Sequence, residues 1–68
     1  MAVSRITDIK AGSPKSFDDA IKIGIARAHK TLKHVVGAWI ASQEVMIDEN
    51  GQITEYRVEM KVSFILED

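Results

Sequence analysis

Apolar and polar positions alternate most cleanly near the end of the chain. Thr54, Tyr56, Val58, Met60, Val62, Phe64 and Leu66 interleave with Glu55, Arg57, Glu59, Lys61, Ser63 and Glu67. A period of two predicts a half-buried strand. The first set makes a core face and the second a polar face. Ile65 is the apolar exception on the polar side, and a candidate contact to a partner subunit. Just upstream, Asn50-Gly51 predicts a two-residue hairpin, because a type I′ turn needs positive φ at both central residues.

Between residues 17 and 32 the period changes. Phe17, Ile21, Gly24, Ile25, Ala28 and Leu32 fall on one helical stripe, which must pack on a sheet. Ser16 is placed to cap that helix, with Asp19 at capping-box spacing. Asp18 and Asp19 fall in the first turn; Lys30, Lys33 and His34 are assigned to the last, and both groups complement the helix dipole. Ala20 and Ile23 lie beside the stripe, at the edge of the core or in a subunit contact. Val3, Ile6 and Ile9 suggest a first strand over residues 2–10, ended by Gly12-Ser13-Pro14.

A further strand over residues 36–47 changes face along its length. Val36, Ala38 and Ile40 are even-numbered, whereas Val45 and Ile47 are odd. A two-residue turn at Asn50-Gly51 pairs Ile47 with Thr54 and Val45 with Tyr56. Continued unbroken, that register would set Ile40 against Lys61. One β-bulge near Ser42-Gln43 repairs it. Ile40 then faces Met60, Ala38 faces Val62 and Val36 faces Phe64. Unbroken pairing through Ser42, Gln43 and Glu44 would exclude a bulge there. On the opposite face this register sets Trp39 against Lys61, Gly37 against Ser63, Ala41 against Glu59 and Glu44 against Arg57.

The fold class is α+β, a single βαββ domain over residues 1–68. Strands one and two, joined through a helix, run parallel and apart. Strand three lies between them, giving the order 1-3-2. One helix covers one face. The other face and two edges stay open, which invites pairing with copies of the chain.

Composition sharpens this. A chain of 68 residues buries only about 60% of the surface it exposes when unfolded, so its own core is marginal. Small folds gain stability from disulfides, metals or partner subunits. The chain has no Cys and only two His, which excludes disulfides and disfavours a zinc cluster. Oligomerisation remains. A net charge of −1 supplies no field for nucleic acid or an anionic membrane. Met1 to Lys10 lacks the apolar stretch of a signal peptide, and no apolar run approaches a membrane span, so the expected location is cytoplasmic.

Several segments, in order, carry a resemblance: Gly12-Ser13-Pro14-Lys15-Ser16-Phe17; Ala26-Arg27-Ala28 with Lys30-Thr31-Leu32; Tyr56-Arg57-Val58; and Lys61-Val62-Ser63-Phe64. With the βαββ plan and this length, the chain resembles the dodecins, small flavin-binding proteins that assemble as hollow dodecamers. The resemblance implies a homo-oligomer that binds FMN or riboflavin without catalysis, for storage or sequestration. In that family a Trp opening the second strand stacks on the flavin ring. A Gln on the third strand, just after an aromatic residue, bonds the ring's polar edge. Aligned from Lys30-Thr31-Leu32, the Trp position is Gly37 and the Gln position is Arg57, directly after Tyr56. Gly37 removes the stacking platform, and Arg57 replaces a donor/acceptor with a cation that cannot accept. Trp39 stands on the same face as Gly37, displaced by about 7 Å.

The candidate ligand residues are therefore Gly37, Trp39, Gln43 and Arg57. Trp39 reads as a platform for a planar ligand or as an aromatic anchor between subunits. Arg57 reads as an anion binder or as a cross-strand partner of Glu44. Gln43 reads as a side chain re-aimed by the bulge or as a solvated one. Lys22, His29 and Lys33, with Arg27, Lys30 and His34, make a scattered basic surface that suits phosphates or simple solvation. No nucleophile with a base and an orienting group can be assembled, so no enzyme is expected. The competing account is a ligand-free or ion-binding shell, with Trp39 as anchor and Glu44, Glu55 and Glu59 meeting near symmetry axes.

Overall fold

The computed structural model describes residues 3–66. Its elements are β1 (Ser4–Ser13), α1 (Phe17–Thr31), β2 (Val35–Ile47) and β3 (Ile53–Ile65). The three strands form one antiparallel sheet in the order β1-β3-β2. The βαββ plan and its strand order are those the sequence predicts. Val58, Met60 and Val62 of β3 meet Ala20 and Ala28 of α1 in the buried core. Ile9, Ala11, Phe17, Ile21, Ile25, Leu32, Val35 and Ile40 pack around them. Ala20, expected at the margin, is fully buried, whereas Ile23 is 47% exposed. Gly24 faces Met60 so closely that a Cβ there would collide with the Met60 terminal methyl.

Ser16 is extended and its Oγ accepts from the Asp19 backbone N–H at 3.0 Å, as an N-cap should. The Asp19 carboxylate accepts from the buried Ser13 Oγ at 2.5 Å. That contact explains why β1 runs past Gly12 to Ser13, three residues beyond the predicted end. Ser13 is tied to the helix and still pairs with Tyr56. Residue 2, assigned to the first strand from sequence, lies outside the described residues. The helix ends at Thr31, so its last turn carries His29 and Lys30; Lys33 and His34 follow it. His34 takes a positive φ of 59° as the chain turns into β2. At the other end, β3 closes at Ile65, and Leu66 lies beyond it, exposed.

The hairpin departs from the predicted turn. Only Gly51 has positive φ there, at 79°. The Gly51 N–H donates to the Asp48 carbonyl at 3.0 Å, and the Asp48 N–H to the Gln52 carbonyl at 2.9 Å. Asp48 Oδ1 also accepts from the backbone of Asn50 and Gln52. This is a longer loop closed by a glycine bulge, not a type I′ turn. Ile47 consequently pairs with Ile53 and not with Thr54.

The bulge predicted near Ser42-Gln43 is not there, and the one extra residue that the change of face requires sits earlier in β2. Pairing is unbroken through Ser42, Gln43 and Glu44, and the extra residue is Ala41, between Ile40 and Ser42. Ser42, not Ala41, therefore faces Glu59. A second extra residue, Val36, leaves Val35 opposite Phe64. Val36 is 64% exposed. Ile40–Met60, Ala38–Val62, Trp39–Lys61, Gly37–Ser63, Glu44–Arg57 and Val45–Tyr56 pair as the sequence predicts.

Candidate functional site

The site follows from what the helix leaves uncovered. A helix of 15 residues is about 22 Å long, whereas strands of 13 residues reach about 43 Å. The molecule accordingly measures 52 × 19 × 14 Å. α1 packs mainly on β1 and β3 and barely reaches β2. Among the described residues, no element covers the opposite face of the sheet.

That face is laid out in rows across the strands. One row is Asp8–Lys61–Trp39, the next Lys10–Glu59–Ser42, and the third Gly12–Arg57–Glu44. In the first, Lys61 Nζ donates to Asp8 Oδ1 at 2.8 Å, an exposed ion pair. Hydrogen bonding and charge attraction from Asp8 raise the Lys61 pKa above 10.5. Trp39 stands beside this pair, 49% exposed. In the second row Ser42 Oγ donates to Glu59 Oε1 at 3.3 Å. An open cleft of about 300 Å³ lies over the second and third rows, lined by Lys10, Gly12, Ser42, Glu44, Arg57 and Glu59.

The structure brings together three of the four candidate residues. Gly37, Trp39 and Arg57 share the open face through their pairing with Ser63, Lys61 and Glu44. A Cβ on Gly37 would meet nothing within 4 Å, so the space directly above this residue is open. Gln43 does not join them. With the bulge at Ala41, Gln43 pairs with the core residue Val58, and alternation turns it to the helix side. Arg57 also differs from expectation: Nε binds Glu55 Oε1 at 2.6 Å, two residues along its own strand, and not Glu44 opposite. Sequence reasoning missed Lys10, Gly12 and Ser42. Their signal was the order 1-3-2, which sets β1 residues beside Arg57 once the β1–β3 register is known.

A family model described as Dodecin matches residues 3–67. The chain belongs to the dodecin family. Gly37, Trp39 and Arg57 all lie inside the dodecin match. The calcium dodecin of Mycobacterium tuberculosis is 33% identical over 64 residues, covering 94% of this chain and 89% of that relative. Among solved structures, the dodecin from Streptomyces davaonensis is 36% identical with a TM-score of 0.92, over 98% of this chain and 97% of that one. A single-substitution variant of the Thermus thermophilus dodecin is 31% identical with a TM-score of 0.92, each chain covered in full. Among the described residues of this dodecin, no three His, Asp or Glu side chains gather to hold a metal ion, and no helix is long and apolar enough to cross a membrane.

Proposed function

We propose that this dodecin is a non-catalytic, cytoplasmic homo-oligomer, a dodecamer by family, that binds a small planar or anionic ligand for storage or sequestration. The observation that carries this reading is the open sheet face, where Trp39 stands exposed beside a charged cleft. No element among the described residues covers that face. Copies packed face to face would enclose it, giving ligand pockets that one chain lacks. Trp39 supplies an aromatic surface for a planar ring, and Arg57 supplies a cationic head for an anionic group. Flavin, as FMN or riboflavin, is the first ligand to try. Its ring must take a pose displaced from the vacant Gly37 position, toward Trp39.

Riboflavin fluorescence tests this. The assembled protein is expected to quench it, and Trp39→Ala to abolish quenching while the assembly stays intact. Loss of assembly in Trp39→Ala would make this residue an anchor and not a platform. Unchanged fluorescence with the native protein would remove flavin from the account.

An ion-binding shell is the second reading. It is favoured by Glu44 and Glu59 in the same cleft, and a relative carries the name calcium dodecin. Because no described cluster in one chain suffices for a metal, such a site would draw carboxylates from several copies. Isothermal titration with Ca²⁺ separates the readings.

A further inference from the structure

Arg57 is held on one side only. Its Nε donates to Glu55 Oε1 at 2.6 Å, and the Glu55 carboxylate lies across β1 over Gly12. A Cβ on Gly12 would come within 2.5 Å of Glu55 Oε2 and 2.9 Å of its Cδ. Gly12 is also the β1 partner of Arg57 in the register. The space left by the missing side chain on β1 is therefore the space that Glu55 occupies.

This arrangement leaves the terminal Nη nitrogens of Arg57 without a partner among the described residues. Those nitrogens form a planar fork that matches a carboxylate or a phosphate. Lys10 lines the same cleft and forms no ion pair among the described residues. The acidic groups nearby are partly engaged. Glu55 binds Nε, and Glu59 accepts from Ser42. Glu44, across the row from Arg57, is the carboxylate that an incoming anion must displace or tolerate.

We propose that Gly12 and Glu55 are positioning residues that aim the terminal fork of Arg57 into the cleft, which thereby selects small ligands bearing a phosphate or carboxylate. This rests on reading the open face as a ligand site. It also makes a sign prediction that simple electrostatics reverses. Removing the negative charge of Glu55 should strengthen anion binding if charge alone matters. It should weaken binding if Glu55 holds Arg57 in place.

Riboflavin and FMN test this, because they share a ring and differ by a phosphate. Fluorescence titration of the assembled chain is expected to give FMN about a tenfold affinity advantage over riboflavin, the size of one charge-assisted contact. Arg57→Gln should bring that ratio near one. Glu55→Ala should lower it severalfold, and so should Gly12→Ala, which displaces Glu55 from β1. Glu44→Gln should raise it. Should Gly12→Ala fail to assemble, Glu55→Ala decides alone. A native ratio near one overturns anion selection and leaves the ligand reading standing. No binding of either flavin overturns the selection proposed here and removes flavin from the account. A ratio unchanged or raised in Glu55→Ala overturns the positioning role.

Discussion

Lys61 and Asp8 occupy the same row as Trp39, so the aromatic ring on the open face has a fixed ion pair as its neighbour. The pair is solvent-exposed and screened, which keeps its contribution small. Its sign is nevertheless defined. The folded-state pKa of Lys61 is raised, chiefly by the hydrogen bond to Asp8. The stability it adds is fully present below the ordinary lysine value of 10.5 and is lost as pH rises through the higher folded value. Chemical denaturation of the native chain and of Asp8→Asn, from neutral pH upward, should show a small constant difference that closes above that range. A difference that widens there would contradict the assignment. At this scale the sequence placed Trp39 against Lys61 correctly, because that pairing needs only one extra residue between Trp39 and the hairpin, wherever in that stretch it falls. It misassigned the partner of Arg57. Glu44 is directly opposite, but Glu55 reaches Nε because Gly12 on the neighbouring strand leaves space for its side chain. That space depends on β1, whose register no local pattern in the sequence reveals.

The β2–β3 hairpin determines which residues share the open face. The even-to-odd switch in β2 announced an extra residue, and the structure has one, at Ala41. Its position was legible only to within a residue, since pattern constrains parity and not location. The one-residue difference turns Gln43 to the helix side and brings Ser42 into the cleft. A second extra residue, Val36, left no trace in the pattern because Val35 and Val36 are both apolar. The turn was misjudged for a related reason. Asn50-Gly51 suits a type I′ turn, but Asp48 caps the loop through the Asn50 and Gln52 amides and selects a longer one. Only Gly51 then needs the left-handed region. Gly51→Ala should cost about 1 kcal/mol in the denaturation free energy. Asn50→Ala, at ordinary φ, should cost clearly less. Equal losses would restore the type I′ turn.

The molecule as a whole is too thin to stand alone comfortably. A core of Ala20, Ala28, Val58, Met60 and Val62 is small for a chain of 68 residues. Val36, Ile47 and Ile53 remain exposed on the long hairpin, the last two at a tip that α1 is too short to reach. Helix stripe, strand alternation and the crossover rule were enough to fix the βαββ plan and the order 1-3-2, because each follows from residues close in sequence or from chirality. The cleft was not legible, since its walls come from three strands distant in sequence. Both the ligand reading and the role of Trp39 require copies to close the open face. Light scattering of the purified chain at micromolar concentration tests that requirement most directly. The account predicts one homogeneous assembly with a mass many times the 7.6 kDa chain. A monodisperse species of 7.6 kDa would contradict it.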